Sequence, residues 1–311
     1  MYKERSVYLV VPCYNVAPQV GGVIAAMPDF VDGLVAVDDG SKDDTAAVLR
    51  EALDGRVLLV CHPENRGLGA AMATGFQKAV ELGAEIMVKV DGDGQMDLAY
   101  LPALLDPLVE ESYPYAKGNR LFDADALAAM PRVRLLGNFV LTFLTKLASG
   151  YWHVVDPQNG YVAIQRRTWE LLDHRRIASG YFFENDMLVH LNLLRARVKD
   201  VPMPARYQDE RSSLRVGRII PQFTWLLLRR TLYRFYMKYM LRDFSPIALF
   251  VLTGLPLFLW GAAFGAWAWW DSARQGLYAS TGTVMLSVLP LLVGFQLLLQ
   301  ALVLDIQESP R

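Results

Sequence analysis

The chain has 311 residues and a formal net charge of −1, so no basic balance points to a nucleic-acid partner. Its hydrophobic share of 53% is high for a soluble protein, and the excess lies toward the C-terminus. Cys13 and Cys61 form no Cys-x-x-Cys pair, which argues against a zinc or dithiol site. They read as two buried strand thiols in a reducing compartment.

In chain order, Met1 to Pro12 does not read as a signal peptide. Its apolar run is short, and Pro12, Tyr14 and Asn15 break it without a small-residue cleavage site. Ser6–Val11 is an apolar, β-branched run with the pattern of a buried strand. Gly33–Val37, Val57–Val60 and Ile86–Val90 repeat it, and Val20–Met27, Asp44–Leu53 and Ala70–Leu82 between them read as helices. This alternation predicts βαβ units and a mostly parallel sheet. Such sheets gather ligands at the carboxyl ends of their strands. The polar clusters Pro12–Asn15, Asp38–Ser41, His62–Asn65 and Asp91–Gln95 stand there. Leu135–Leu147 is apolar with helical spacing; it reads as a core helix or, beside Arg132 and Arg134, as the border of a lipid entrance, and the second is favoured.

The C-terminal third changes character. Eight cations and no acid occur from Arg211 to Arg242. Arg230, Arg234, Lys238 and Arg242 recur every four residues, which on a helix makes one stripe. With apolar Phe223, Trp225, Leu226, Phe235 and Tyr239 interleaved, the segment is expected to lie in a membrane interface with its cations on anionic lipid phosphates. Each such cation contributes roughly 1 kcal/mol at an anionic leaflet. Ser245–Trp270 and Gln275–Leu304 carry no charge, and each exceeds the about 20 residues a helix needs to cross a bilayer. Asp271–Arg274 is the expected link of a hairpin. The cations before the first span place the N-terminal part in the cytoplasm, and two spans return the C-terminus to that side.

Asp91-Gly-Asp93 carries the chemistry. Two carboxylates at i and i+2 leave a strand on one side and can share a hard divalent cation, with a diphosphate supplying further oxygens. Alone, Asp-x-Asp is a common solvated turn; directly after the strand Ile86–Val90 it gains weight. Asp38 and Asp39 follow the second strand. Asp43 or Asp44 reads as a helix N-cap and Gly40 as the bend, while a carboxylate of Asp38 or Asp39 would accept hydrogen bonds from a base or ribose.

These pieces form an ordered set: Val10-Val-Pro-Cys-Tyr-Asn15, Val37-Asp-Asp-Gly-Ser41, Asn65-Arg-Gly-Leu-Gly69, Asp91-Gly-Asp-Gly-Gln95, Gly118-Asn-Arg120, Asp156-Pro-Gln-Asn-Gly160 and Glu184-Asn-Asp186. The set resembles glycosyltransferase family 2, of GT-A fold, and within it the polyprenyl-phosphate glycosyltransferases, the group of dolichol-phosphate mannose synthase. The resemblance covers about residues 5–215. It implies an α/β, Rossmann-like GT-A catalytic domain over 1–210. Basic juxtamembrane helices would follow over 211–243 and two transmembrane helices over 244–305, at about 245–270 and 280–304. A cytoplasmic tail, 306–311, would end the chain.

The resemblance also implies roles. Pro12, Tyr14 and Asn15 line a nucleotide pocket, Asp38 and Asp39 serve the base or ribose, and Arg66 and Gly67 lie along the donor. Asp91 and Asp93 hold Mg2+ or Mn2+ against the diphosphate, supported by Gln95. Gln158 faces the donor sugar and acceptor, and Glu184 and Asp186 stand where the catalytic carboxylate is kept. Arg120, with Arg132 or Arg134, grips the acceptor phosphate. Arg211 and Ser213 belong to the segment that closes over the site. The sequence departs from the family pattern at Gly92, often Ala, at Asn159, often a smaller residue, and at Glu-Asn-Asp, often adjacent acids.

The implied reaction is inverting transfer of a sugar from a UDP- or GDP-linked donor to undecaprenyl or dolichyl phosphate. A phosphate monoester, with a second pKa of about 6, is already mostly a dianion and needs docking by cations more than deprotonation. Asp186 is then expected to position the acceptor or stabilise charge. A polysaccharide acceptor and an inactive sugar-nucleotide sensor are the competing readings, and a homo-oligomer is left open.

Overall fold

The computed structural model describes residues 1–52, 55–121, 132–204 and 216–311. It divides into two compact units, Met1–Thr231 with Pro310–Arg311, and Leu232–Ser309.

The first unit is built on a seven-stranded sheet. In chain order it contains β1 (Val7–Cys13), α1 (Ala17–Ala25), β2 (Gly33–Asp38), α2 (Thr45–Glu51), β3 (Val57–Cys61), α3 (Leu68–Glu81) and β4 (Ile86–Lys89). There follow α4 (Leu101–Val109), β5 (Tyr115–Asn119), α5 (Arg132–Ser149), β6 (Val162–Gln165), α6 (Arg166–Glu170), α7 (Phe183–Leu193), β7 (Val198–Pro202) and α8 (Val216–Arg234), whose residues from Leu232 on belong to the second unit. The spatial order is β3-β2-β1-β4-β6-β5-β7. The β3, β2, β1 and β4 ladders are parallel, β6 runs antiparallel to both β4 and β5, and β7 returns parallel to β5.

Period-two alternation explains the layers. Along β1, Val7, Leu9 and Val11 join one apolar cluster with Val20, Leu49, Leu101 and Leu104 from α1, α2 and α4. Val10, between them, points into the other cluster, with Met72 and Phe76 of α3 and Met187 and Leu191 of α7. Phe76 also packs edge-on to Trp169 at 5.0 Å. Cys13 is buried as expected, but Cys61, the last residue of β3, is exposed. Only the first position of β3 is fully covered, so its final side chain escapes the core.

The second unit holds a π-helical segment, Phe235–Arg242, then α9 (Pro246–Gln275) and α10 (Thr281–Gln307). Both helices are long and apolar enough to cross a membrane. Their backbones meet at small residues: a Cβ on Gly254 would lie 3.1 Å from Gly294 O, and one on Gly261 would lie 2.7 Å from Ser287 O. The hairpin link differs from expectation. Asp271 and Arg274 belong to the end of α9, where Gln275 Nε2 donates to Asp271 Oδ2 at 2.7 Å. Gly276, at φ 64°, ends that helix, and Ser280 caps α10 by accepting from Thr283 N.

The basic stripe also differs. Arg234, 3% exposed, forms a paired hydrogen bond to Asp305 at 2.7 and 3.0 Å, and Tyr239 donates to the same carboxylate. Lys238 lies 3.7 Å from Glu308. Thus Arg234 and Lys238 meet protein carboxylates, not lipid phosphates, because the turns of this segment direct them onto the end of α10. Arg229 and Arg242 are exposed.

Candidate active site at the carboxyl ends of the strands

The loops after β1 and β2 are clasped together. Asn15, at φ 54°, donates its backbone N–H to Ser41 Oγ and accepts from Lys42 N through Oδ1 at 2.8 Å. Ala17 N donates to Asp43 Oδ2, and Asp43 Oδ1 accepts from Thr45 N and Oγ1. Asp44 holds the N-cap position of α2 without a side-chain bond, and Asp43, one residue before it, supplies the side-chain acceptor. Gly40 takes φ +70°, and a Cβ there would stand 2.6 Å from the Glu64 carbonyl carbon, so only glycine fits the bend.

Asp38 and Asp39 are both buried. Asp38 Oδ1 accepts from Ser41 N at 3.1 Å. Asp39 accepts from His62 Nδ1 at 2.6 Å, Arg66 N at 3.0 Å and Gly67 N at 2.7 Å. Its carboxylate thus shapes the Asn65–Gly69 loop from beneath. That loop also packs on residues 178–180: Ala70 N donates to Ser179 O at 3.1 Å, and a Cβ on Gly67 would lie 2.6 Å from the same oxygen.

Asp91 and Asp93 leave the end of β4. Asp93 Oδ1 accepts from Gln95 N at 3.0 Å. Gly92 packs against the β1 loop, since a Cβ there would sit 3.3 Å from Pro12 O and 3.4 Å from Cys13 Sγ. The Gln158–Gly160 segment comes from the other side: a Cβ on Gly160 would meet Asp91 Oδ2 at 3.0 Å and also Lys89 Nζ. Pro12, Asp91 and Gly160 are therefore brought together, as the sequence order alone could not state.

Two residues that sequence reasoning passed over sit under this site. Lys89 and Lys117 both pair with Val162 in the sheet register, so they stand in one row on one face. Each is at most 1% exposed. Lys89 Nζ lies 2.5 Å from Asp91 Oδ1 and 3.2 Å from Glu184 Oε1. Burial works against its charge, but Asp91 and Glu184 outweigh burial and hold its pKa above the ordinary range. Lys117 donates to Asn159 O, and burial pushes its pKa down to about 8, partly offset by Asp156 and Glu184. A lysine inside each buried strand run was the available signal.

Glu184 and Asp186 part company. Glu184, in the first turn of α7, faces the lysine row. Asp186 is fully buried; its Oδ2 accepts from Arg230 Nη2 at 2.6 Å and Ala178 N at 2.7 Å. Burial raises its pKa to about 6 despite Arg230. Arg120 donates to Asp156 at 2.9 Å through Nε and at 3.3 Å through Nη2, while its side chain stays 44% exposed. Arg132 and Arg134 lie in the first turn of α5, and Arg211 and Ser213 lie outside the described residues. A cleft of about 570 Å3 opens between α1 and the Asp93–Pro102 segment; Gln19, Val23, Phe30 and the site residue Asp93 line it, and Asp39, Arg66 and Glu184 do not.

Among the described residues, no cluster of three His, Cys, Asp or Glu side chains would hold a metal alone. Asp91 and Asp93 offer hard carboxylate oxygens, one of them already held by Lys89. That set fits Mg2+ or Mn2+, which take one or two carboxylates and complete their shell with phosphate oxygens and water. Gln158 Nε2 and Asn159 Nδ2 are buried donors with no hydrogen-bond partner among the described residues, and they suit an oxygen-rich ligand.

The profile of Glycosyl transferase family 2 matches residues 8–172, more than half of the chain. A UDP-N-acetylglucosamine–dolichyl-phosphate N-acetylglucosaminyltransferase of Methanococcus voltae is 28% identical over 66% of this chain and 88% of its own length. The polyprenol monophosphomannose synthase of Mycolicibacterium smegmatis is 31% identical over 58% of this chain and 69% of its own. The fold is shared with glucosyl-3-phosphoglycerate synthase of Mycobacterium tuberculosis, solved with UDP, at TM-score 0.56 and 23% identity over 73% of this chain and 80% of that one. The same enzyme solved with Mn2+ and UDP-glucose gives TM-score 0.54 and 22% identity, over 73% of this chain and 80% of that one. The chain is a glycosyltransferase and belongs to glycosyl transferase family 2.

Proposed function

We propose that this enzyme moves a sugar from a UDP- or GDP-linked donor onto a polyprenyl phosphate, with inversion at C1, at the cytoplasmic face of a membrane. The observation that carries the reading is the presence in one chain of the Asp91–Asp93 strand end and two apolar helices of membrane-crossing length. Relatives named for dolichyl-phosphate and polyprenol products support the acceptor class. Phe139, Val140 and Phe143, exposed on α5, support a lipid neighbour for this helix.

In this reading the β1 loop and the Asn65–Gly69 loop bind the nucleotide. Asp91 and Asp93 hold Mg2+ or Mn2+, with Gln95 in support. When bound, the ion supplies charge stabilisation to the departing diphosphate. Lys89 orients Asp91 through their 2.5 Å contact and adds positive charge at the site. Gln158 and Asn159 offer amide donors to sugar or phosphate oxygens. Glu184, beside the lysines, tunes the charge near C1. Arg120 and the cations opening α5 dock the acceptor phosphate, which attacks C1 by single displacement as a dianion. The eight cations of 211–242 favour a cytoplasmic N-terminal part. A panel of UDP- and GDP-sugars, assayed with undecaprenyl and dolichyl phosphate with and without EDTA, tests the reading. One donor should be consumed in a chelator-sensitive way; no turnover of any donor would contradict it.

A further inference from the structure

We infer that Arg230 is a positioning residue: through Asp186 it ties helix α8 to the loop that shapes the nucleotide site. This inference rests on the nucleotide-binding reading of that loop.

The connection runs through named bonds. Arg230 Nη2 donates to Asp186 Oδ2 at 2.6 Å and to Arg176 O at 2.8 Å. The same Asp186 oxygen accepts from Ala178 N at 2.7 Å. Asp186 is fully buried, and its neighbour His190 is neutral, with a pKa pushed down to about 4 by burial and by Arg230. Arg230 is therefore the cation that makes the buried carboxylate tolerable, and its bond to Arg176 O, with that of Ala178 N to Asp186 Oδ2, holds residues 176–178 in place.

From there the contacts continue without a gap. Ser179 O accepts from Ala70 N, and Gly67 and Gly69 pack against Ser179 O and Ala178 O so closely that no side chain fits. Arg66 N and Gly67 N in turn donate to Asp39. The Asn65–Gly69 loop is thus held from below by Asp39 and from the side by residues 178–180, whose position Arg230 and Asp186 set. Phe223 of α8 packs edge-on to Phe182 at 5.5 Å, so the helix is seated at a second point. Losing the Arg230 charge leaves Asp186 buried without compensation, and residues 176–180 must move to admit water. The Asn65–Gly69 loop then loses its lateral wall.

The experiment uses the full chain in detergent or nanodiscs. UDP and GDP with Mn2+ are titrated calorimetrically, and amide hydrogen exchange is followed by mass spectrometry. Arg230→Gln is expected to weaken binding of the preferred nucleotide about tenfold and to speed exchange over residues 65–70 and 176–180, while strands β1 and β4 stay protected. Arg230→Lys, which keeps the charge but loses the guanidinium geometry that reaches both Asp186 and Arg176 O, is expected to fall between wild type and Arg230→Gln. Arg230→Gln with wild-type nucleotide affinity, or with exchange accelerated equally across the unit, would overturn the inference. Should Arg230→Gln not fold, the wild-type protein carries the test. Nucleotide binding must then slow exchange at Ala178 and around Arg230 as well as at Arg66 and Gly67; protection confined to Arg66 and Gly67 would overturn it. A wild-type protein that binds neither UDP nor GDP defeats the nucleotide reading instead, and exchange in Arg230→Gln still decides whether the tie exists.

Discussion

Lys89 and Asp91 form the tightest ion pair of the strand-end site, at 2.5 Å, and the same ammonium reaches Glu184 at 3.2 Å. A lysine 1% exposed between two acids is a charge the fold cannot lose cheaply. Lys89→Met is expected to lower unfolding stability by about 3–5 kcal/mol, the range for breaking a buried ion pair from one side. Adding Glu184→Gln should restore part of it, since one uncompensated charge is then gone. Denaturant unfolding of the two variants checks this; equal stability of Lys89→Met and wild type would contradict it.

Gly160 packs against the Lys89–Asp91 pair. A methyl group there would press on Lys89 Nζ and stand 3.0 Å from Asp91 Oδ2. Gly160→Ala should therefore cut kcat about tenfold or more by displacing Asp91, with little loss of fold, because a small misplacement at a reacting centre is costly. Steady-state rates beside circular dichroism check the outcome. An unchanged rate would mean that the Asp91 carboxylate tolerates displacement.

Lys117 gives a pH signature. Its folded pKa, about 8, lies below the ordinary 10.5. Between those values the unfolded chain binds more protons than the folded one, so stability contributed by this group rises with pH from about 8 to 10.5. The slope is on the order of 1 kcal/mol per pH unit. Lys117→Met removes the titration, so wild type should gain on the variant as pH rises through this window. Parallel stability curves would contradict the assignment.

How far the sequence speaks depends on whether a feature is local. The strands β1 to β4 were legible because each is a short β-branched run, and the Asp91–Asp93 turn because it follows one. The membrane-length helices were legible from absence of charge. The link was misplaced at Asp271–Arg274 because charges at the end of a helix look like a loop until their i,i+4 partners are known. The stripe misled for a related reason. Arg230 and Arg234 read as facing lipid, yet their carboxylates stand 44 and 71 residues away along the chain. The lysine row needed the β4-β6-β5 order, in which β6 runs antiparallel and brings Lys89 and Lys117 level with Val162. No periodicity in one strand carries that information.

The lipid-phosphate acceptor distinguishes the proposed reaction from transfer to a water-soluble acceptor. The direct measurement is partition of radiolabel from the preferred sugar nucleotide after incubation with undecaprenyl or dolichyl phosphate. Label is expected in the organic extract from wild type, with a drop of at least about 100-fold in a folded, membrane-bound Asp91→Asn variant. Label that stays wholly in the aqueous phase with lipid phosphate present, or wild-type transfer by Asp91→Asn, would contradict it.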